Sequence, residues 1–505
     1  QSTSSARRLP ATARDRKSQR RPSNEYSNNS GTATHPATDP VTAIVTGFNL
    51  KTPGSKRAAA YNRDFLSDKS SIGLPFTMQT KEALYPIVAT HAEGAYLQDV
   101  DNNRYVDILM GLGTNLFGHN PSFIRTAIEA QLTKGFALGP QSDLAGETAE
   151  LFCCITGKDR VTFSNTGTEA VQTAMRIARA ATGRDKIVLF TGSYHGHSDP
   201  ALHKATKLEY IRRGALLRSH PAWLVALKPL LKRMVLTKAV PGFSGVAPSS
   251  ARDIVLLEYG NPRSIDYIRR HGDSLAGVLV EPVQSRNPEL QPREFLHELR
   301  SVTEKTGSAL IFDEMITGFR VAPGGAQSHF GIDADIATYG KIAGGGLPLS
   351  LIAGKGRFMD FVDGGAWAYG DSSFPKVAPT FFAGTYCRHP LALAAAKAVA
   401  TRLLEDGPTL QEGLNARTQA FVERLNGALK GAGLPVAFMS FGSFFAISAA
   451  RSRISPQAVT MLSFLLLTSG VHLRAGDRGG FLSTAHSDDD IAFVHDAVLQ
   501  SLTAL

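Results

Sequence analysis

Short apolar segments alternate with helical patterns from about Val161 to Gly346, and this alternation constrains the fold more than any other feature of the sequence. It is typical of α/β proteins, in which helices connect strands that run parallel. The chain has 505 residues, of which 43% are hydrophobic, so it can bury a core large enough for two structural domains. The sequence therefore predicts an α/β fold with a mostly parallel sheet.

Two of these apolar segments lead into residues that can carry chemistry. Asp313 ends the segment 309–313, and Lys341 follows it by 28 residues, shortly before the glycines at 344–346. A lysine amine can form a Schiff base with an aldehyde, and a buried carboxylate can keep a pyridine nitrogen protonated. Either residue alone is more often a solvated surface residue. Together, at strand ends where α/β proteins bind ligands, they are what a pyridoxal phosphate enzyme requires.

A turn suited to binding an anion follows another apolar segment, 161–163. Thr166, Gly167 and Thr168 stand between that segment and a helical pattern. At a helix start, free backbone N–H groups and the helix dipole face the ligand. The sequence therefore predicts a phosphate site here, and the alternative is an ordinary N-cap before an amphipathic helix.

A third apolar segment, 186–190, leads into a loop that contains Tyr194, His195 and His197. A tyrosine at a strand end can stack on a flat heterocycle, and the alternative is a tyrosine of the core. We interpret the two histidines as orienting or loop residues, because a Schiff-base lysine can itself carry protons.

In their order along the chain, these motifs resemble those of the class III aminotransferases and glutamate-1-semialdehyde aminomutases, a family of fold-type I pyridoxal phosphate enzymes. The resemblance extends from about Ala83 to the C-terminus. Further motifs that carry it lie at residues 94–101, 105–108, 118–121, 281–284, 384–390 and 482–486. It implies a large domain with a mostly parallel sheet, a smaller α+β domain, pyridoxal 5'-phosphate as the cofactor and no metal ion.

The resemblance also implies a role for each residue of the site. Lys341 would be the Schiff-base lysine and Asp313 the partner of the pyridine nitrogen. The other cofactor contacts would come from Thr166, Gly167, Thr168, Tyr194, His195, Glu281 and Gln284, with the glutamine near the ring hydroxyl. Thr385 would reach the phosphate of the neighbouring subunit, so we expect a homodimer with shared active sites.

A narrower resemblance points to the acceptor of the amino group. Residues 261–263, 281–292 and 311–320 look like the aminotransferase domains of hybrid polyketide/nonribosomal peptide synthetases. Those domains aminate a β-keto acyl chain that a carrier protein holds as a thioester. We therefore expect an amino acid donor, and a keto or β-keto acyl acceptor tethered to an acyl or peptidyl carrier protein.

Two other enzymatic readings stay open, a class III aminotransferase that uses free small substrates and an aminomutase. Aminomutases that act on glutamate semialdehyde usually carry a substrate-binding arginine in the N-terminal segment. No arginine occurs between Arg63 and Arg104, which counts against a mutase. A cofactor-binding module without turnover is disfavoured, because Lys341 and Asp313 are both present.

Arg320 and Arg388 are the candidates for binding a substrate carboxylate. A guanidinium group can bind a carboxylate through two parallel hydrogen bonds, which a lysine cannot reproduce. For each arginine the alternative is a structural ion pair.

The sequence predicts four segments. Residues 1–45 are expected to be a disordered basic tail or linker, and residues 46–110 an N-terminal segment that joins the small domain. Residues 111–385 would form the large domain with a basic insertion at 202–245, and residues 386–505 the small domain. A transit peptide is the alternative for the tail, and the synthetase resemblance favours a linker.

Positive charge is concentrated in two stretches. Residues 1–40 hold seven Lys/Arg and three Asp/Glu, and residues 202–245 hold nine and one, so their net charges of +4 and +8 exceed the +10 of the whole chain. The remainder is slightly acidic, which argues against nucleic acid as a partner. The insertion is interpreted as a solvated helical insertion, or alternatively as a docking surface for an acidic carrier protein.

The cysteine content favours a reducing compartment. Cys153, Cys154 and Cys387 are too few for a disulfide framework. No segment reaches the roughly 18 apolar residues of a membrane helix. We therefore expect a cytoplasmic protein without a membrane partner.

Overall fold

The computed structural model describes residues 39–68, 74, 76–207 and 237–505. Helices α1 to α13 span Pro40–Lys51, Pro53–Asn62, Met110–Gly113, Ser122–Lys134, Leu144–Thr156, Gly167–Thr182, Pro262–His271, Arg293–Thr306, Ala326–Phe330, Gly356–Asp363, Pro390–Gly431, Pro456–Ser469 and Asp488–Thr503. Single 3₁₀ turns lie at Lys81–Ala83, Asp199–Ala201, Pro248–Ala251, Gly272–Ser274 and Lys341–Gly344. The tail before residue 39 and the central part of the basic insertion, residues 208–236, lie outside the described residues.

Sixteen strands are present in the described part of the chain. Strands β1 to β16 span Ala89–Glu93, Tyr96–Asp99, Arg104–Asp107, Arg160–Ser164, Lys186–Phe190, His203–Ala205, Ala239–Pro241, Ile254–Leu257, Leu275–Val280, Ala309–Asp313, Ile336–Tyr339, Ser350–Gly354, Phe438–Phe441, Phe444–Ile447, Val471–His472 and Gly479–Phe481.

The largest sheet has seven strands in the order β4-β12-β11-β10-β9-β5-β8. Only β12 runs against the others. Every residue of β9, β10, β11 and β12 is buried, because helices such as α6 and α8 cover the sheet. Full burial on both faces is usual for parallel strands. The predicted α/β fold with a mostly parallel sheet is confirmed, and its parallel strands end at one common edge.

Three smaller sheets complete the fold. Strand β15 of the C-terminal part pairs with β3 of the N-terminal part, in the order β1-β2-β3-β15. Strands β13, β14 and β16 form an antiparallel sheet, and β6 pairs with β7. The long helix α11 packs against α4 and α5, and its turn at Gly407, with φ of 57°, is not helical. Residues 40–505 form one compact unit, and the division into a large and a small domain stays a prediction.

The predicted boundary at residue 45 has to be corrected. Helix α1 begins at Pro40 and buries Val45 and Phe48 against helix α12. The ring of Phe48 lies 5.0 Å from the rings of both Tyr85 and Phe464. Apolar burial therefore begins earlier than the polar composition of the tail suggested. None of the helices formed by the described residues is long and apolar enough to cross a membrane.

We expect that Phe48→Ala destabilises the protein by about 3–5 kcal/mol, because it leaves a cavity between α1 and α12. Leu50→Ala on the same helix is the matched control, since Leu50 is 77% exposed and its truncation leaves no cavity. The measurement is the free energy of unfolding from denaturant titration. Equal effects of the two substitutions would contradict the packing of α1 described above.

Candidate active site

The loops that follow five parallel strands meet at one edge of the seven-stranded sheet. These are the loops after β4, β5, β9, β10 and β11. They carry the residues predicted to bind the cofactor, which are Thr166, Gly167, Thr168, Tyr194, His195, Glu281, Gln284, Asp313 and Lys341. The carboxyl edge of a parallel sheet is where α/β proteins bind ligands, so this edge is the candidate active site.

A buried carboxylate–imidazole pair lies at the centre of this edge. Oδ2 of Asp313 is 2.7 Å from Nδ1 of His195, and both side chains are almost fully buried. Oδ1 of Asp313 accepts a hydrogen bond from the backbone N–H of Met315 at 3.2 Å. Nε2 of His195 is buried and has no partner among the described residues. The histidine is thus hydrogen-bonded to the carboxylate and keeps one polar atom for a further partner.

Lys341 stands immediately after β11, the strand beside Asp313. Its φ is 49°, in the left-handed region, and its Nζ donates a hydrogen bond to the carbonyl oxygen of Leu112 at 2.9 Å. Burial, together with the nearby guanidinium of Arg320, lowers the pKa of Lys341 from 10.5 to about 8. A larger fraction of neutral amine at neutral pH makes this lysine a better nucleophile.

The predicted phosphate turn caps helix α6. The hydroxyl of Thr166 accepts a hydrogen bond from the backbone N–H of Glu169, and the helix begins at Gly167. The N–H of His197 donates to Oγ1 of Thr168 at 3.2 Å. Gly196 crosses this turn with φ of 84°, and a Cβ there would lie 2.5 Å from Oγ1 of Thr168. A glycine is therefore needed where the two loops approach, and the open helix start can receive an anion.

Tyr194 presents its ring to the site rather than to the core. The side chain is 51% exposed, which excludes the alternative of a core tyrosine. Its backbone N–H donates to Oε2 of Glu281 at 2.8 Å. Because Glu281 directly follows strand β9, this hydrogen bond anchors the backbone of Tyr194 to the end of that strand. The guanidinium of Arg286 lies 5.8 Å from the ring centre. An exposed, anchored aromatic face is suited to stacking on a flat ring.

Glu281 and Gln284 are buried and support the loop that carries Tyr194. Nε2 of Gln284 donates to the carbonyl oxygen of Thr191 at 3.0 Å and to Oγ of Ser193 at 2.9 Å. Burial raises the pKa of Glu281, and the charge of Asp313 adds to this shift. The donors of Gln284 are thus engaged by the loop, and its place near the ring hydroxyl stays a prediction.

Arg320 is not accessible to a substrate carboxylate in this conformation. Its side chain is 1% exposed; Nη1 donates to Oγ of Ser443 at 2.8 Å, and Nη2 donates to the carbonyl oxygen of Gly113. Its guanidinium lies 4.8 Å from the ring centre of Phe481. No carboxylate among the described residues pairs with it, so the alternative of an ion pair fails too. Burial lowers the pKa of Arg320 to about 9.

Arg388 and Thr385 lie on an exposed loop, residues 384–389. Nη1 of Arg388 donates to Oε1 of Gln141 at 2.9 Å, which leaves other guanidinium donors for a ligand. Sγ of Cys387, on the same loop, is 3.9 Å from Nδ2 of Asn165, the residue before Thr166. The loop therefore lies beside the phosphate turn. The contact of Thr385 with the phosphate of a neighbouring subunit stays a prediction.

Two further parts of the site had no predicted role. Glu314 lies beneath Asp313 and accepts hydrogen bonds from the backbone N–H groups of Ala326 and Gln327, which ties the loop after β10 to helix α9. Burial raises its pKa to about 7. The other part is the turn 110–113, whose carbonyl oxygens accept hydrogen bonds from Lys341 and Arg320. The neighbouring motif at 105–108 signalled the family, but nothing in it indicates these contacts.

The sequence of residues 77–475 matches the family described as Aminotransferase class-III. The chain is 32% identical over 428 residues to a glutamate-1-semialdehyde 2,1-aminomutase of Alkaliphilus oremlandii (strain OhILAs), covering 82% of this chain and 90% of that protein. It is 33% identical over 428 residues to the enzyme of the same name from Nitratidesulfovibrio vulgaris (strain DP4), covering 82% and 91%.

The fold is similar to that of solved transaminases. The structure of an omega-transaminase from Sphaerobacter thermophilus superposes with a TM-score of 0.73 at 26% identity, covering 90% of this chain and 98% of that one. The protein belongs to the class III aminotransferase family. It is a fold-type I enzyme that uses pyridoxal phosphate.

The residues at the sheet edge fit this cofactor. The buried Nε2 of His195 lacks a partner, the start of α6 is open to an anion, and the ring of Tyr194 is exposed. Lys341 and Asp313 come from neighbouring parallel strands, so an aldehyde and a ring nitrogen of one flat molecule can reach both. The aldehyde, the ring nitrogen, the phosphate and the ring face of the cofactor thus each have a candidate residue at this edge.

The lowered pKa of Lys341 predicts how its amine reacts in the cofactor-free protein. An amine is neutral above its pKa, so labelling by an amine-specific reagent should be half-maximal near pH 8 rather than near 10.5. Mass spectrometry of the peptide that contains Lys341, over a pH series, gives this midpoint. A midpoint close to 10.5 would show that the amine is not buried beside Arg320.

Proposed function

We propose that the protein transfers an amino group from an amino acid donor to a keto acceptor. The observation that carries the proposal is the buried pair of Asp313 and His195, with Lys341 leaving the adjacent parallel strand. These residues are aligned for a reaction that moves a proton at the carbon bearing the amine. The family and its cofactor are established, and the roles of Asp313, His195 and Lys341 are what we propose.

Pyridoxal phosphate, when bound, supplies an electron sink for the charge that develops at the donor's α-carbon. Asp313 would hold a proton at the ring nitrogen, and His195 keeps that carboxylate oriented. Thr166 and the backbone at Gly167 would bind the phosphate, and Tyr194 would cover one face of the ring. Lys341 carries the proton to and from the α-carbon, for which a pKa of about 8 suits its Nζ.

Arg388 is our candidate for the carboxylate of the donor. The guanidinium of Arg320 is buried and hydrogen-bonded to Ser443 and Gly113. Arg388, in contrast, is exposed on the loop that lies beside the phosphate turn. We also propose a homodimer in which Thr385 serves the neighbouring site. Exposed large apolar side chains occur on this loop and in the segment that precedes it along the chain, and a second subunit would cover them: Trp367, Tyr369, Phe374, Phe381 and Tyr386.

For the acceptor, we propose a keto or β-keto acyl chain tethered to a carrier protein. The support comes from the synthetase-like segments and from the +8 charge of residues 202–245. Carrier proteins are typically acidic, and opposite charges raise association rates. The central part of that basic stretch lies outside the described residues, so the support is its composition alone.

A glutamate-1-semialdehyde 2,1-aminomutase activity is the second candidate. It is favoured by the two relatives of that name, which are 32% and 33% identical to this chain. The absence of arginine between Arg63 and Arg104 weighs against it. A mutase keeps nitrogen on one carbon skeleton, whereas an aminotransferase moves it between two, so nitrogen-15 in the donor distinguishes them.

Asp313→Asn should lower the rate of amino transfer about a thousandfold or more, because a neutral amide leaves the ring nitrogen unprotonated. Lys341→Ala is the reference for complete loss and should also abolish the visible absorbance of protein-bound cofactor. Single-turnover rates with glutamate or another amino acid give both values. An Asp313→Asn enzyme within a few-fold of the parent would refute the assigned role.

Amination should be faster with a β-keto chain on its carrier protein than with a free or short thioester analogue. Reversing the charges of Arg212, Arg213, Lys232 and Arg233 should slow only the carrier reaction, whose rate should also fall with salt. The half-reaction with the amino donor is the internal control and should keep its rate. If free keto acids react as efficiently as the loaded carrier, the acceptor is not tethered.

A further inference from the structure

The segment Met110–Gly113, given above as α3, is a left-handed turn rather than a right-handed helix, and it lies beside the active site. Met110, Gly111 and Leu112 have φ of 47°, 60° and 58°, and Gly113 follows with 86°. Left-handed φ is unfavourable for Met and Leu, because Cβ approaches the following carbonyl. Such a conformation persists only where the surroundings impose it, and it often marks a functional site.

Asp107 imposes this conformation from the end of strand β3. Oδ1 of Asp107 accepts the backbone N–H of Leu109 at 2.9 Å, and Oδ2 accepts that of Met110 at 3.1 Å. The two bonds fix the N–H of Leu109, directly before the turn, and the N–H of Met110, its first residue. The side chain of Asp107 is 1% exposed, so water does not compete for these bonds.

Asp107 is itself hydrogen-bonded to two histidines. Nδ1 of His472, its register partner on β15, lies 2.7 Å from Oδ1, and Nε2 of His119 lies 2.8 Å from Oδ2. Nδ1 of His119 faces the amide nitrogen of Asn115 at 3.1 Å, which places the proton on Nε2, toward the carboxylate. Burial opposes ionisation of Asp107, but the two imidazoles outweigh it and hold its pKa far below the usual range.

The turn delivers two successive carbonyl groups to the site. The carbonyl of Leu112 accepts from Nζ of Lys341 at 2.9 Å, and the carbonyl of Gly113 accepts from Arg320. Gly113 also packs on Phe481, where a Cβ would lie 2.8 Å from the ring. The left-handed conformation thus directs both carbonyl oxygens toward Lys341 and Arg320.

We propose that Asp107, held by His119 and His472, is a positioning residue of the active site, which sets the turn 110–113 so that its carbonyls hold the amine of Lys341 and the guanidinium of Arg320. The assignment gives Arg320 a task other than binding substrate. It rests on the proposed role of Lys341, because it concerns where that amine stands when it carries a proton. No side chain of this group needs to touch substrate or cofactor.

Asp107→Asn tests the proposal, and Asp99→Asn is its matched control. Asp99 is also 1% exposed, ends the neighbouring strand β2, and accepts the backbone N–H groups of Asp101 and Asn103 at 2.9 and 2.8 Å. It contacts no part of the turn in the described structure. At Asp107, whose two oxygens each accept one backbone N–H, an asparagine turns one acceptor into a donor, so one backbone N–H loses its partner. At Asp99 both backbone N–H groups bond to Oδ1, so an asparagine keeps them and instead loses the side-chain donors of Asn103 and Tyr105 at Oδ2.

In Asp107→Asn, kcat should fall about 100-fold, because displacing a reacting amine by about 1 Å has that effect. The KM of the amino donor should change by less than about threefold, since no binding contact is removed. Amide hydrogen exchange should accelerate at Leu109 and Met110. In Asp99→Asn, exchange at Leu109 and Met110 should be unchanged, and kcat should stay near the parent value.

A second pair of variants covers the case in which Asp107→Asn does not fold. Asparagine at position 472 places its amide nitrogen close to the Nδ1 position, so His472→Asn keeps the hydrogen bond to Asp107, whereas His472→Leu removes it. We expect His472→Leu to lower kcat tenfold or more and His472→Asn to restore most of it. Equal kcat values in the two variants would overturn the proposal.

Labelling of Lys341 in the cofactor-free protein separates this proposal from the proposed reaction. Loss of the Leu112 carbonyl acceptor disfavours the charged amine, so the labelling midpoint should fall below about pH 8 in Asp107→Asn and stay unchanged in Asp99→Asn. This readout needs no turnover. An unchanged midpoint with accelerated exchange at Met110, or equal loss of kcat in both aspartate variants, would overturn the proposal.

Discussion

The buried hydrogen bond between Asp313 and His195 is the interaction on which the arrangement of the active site depends. It joins the end of β10 to the loop after β5, across the intervening strand β9. Glu281, at the end of β9, binds the same loop through the N–H of Tyr194. A buried carboxylate that loses a hydrogen bond is costly, so the loop cannot move away without removing one partner each from Asp313 and Glu281. The position of the Tyr194 ring is thereby coupled to the position of the Asp313 carboxylate.

Much of this arrangement could be predicted from local sequence patterns. The alternation of apolar segments and helical periodicity predicted the parallel sheet, and strand ends followed by polar or glycine-rich turns placed Asp313, Lys341 and Thr166 at one edge. These features are local, because each depends on a few adjacent residues whose periodicity or turn chemistry is visible in the sequence. The sheet then brings them together, since parallel strands end on the same side.

The features that escaped prediction depend on residues far apart in the chain. Arg320 looked like a carboxylate ligand, yet Ser443 and Gly113 enclose it, and no local pattern indicates that these three meet. The left-handed turn is hydrogen-bonded to Asp107, which in turn contacts His472, 365 positions away along the chain. The end of the tail was set at residue 45 because polar composition concealed the few side chains that α1 buries.

The single antiparallel strand of the large sheet has a geometric consequence for the site. Strand β12 lies between β4 and β11, and because it runs in the opposite direction it starts at the edge where they end. Strand β12 therefore contributes to this edge only the segment that leads into it, with the phosphate turn after β4 on one side and the lysine after β11 on the other. The turn and the lysine are two strand spacings apart, about 9.5 Å, because β12 lies between their strands. Strand order thus separates the residues that would meet the anionic end and the reactive end of one flat molecule.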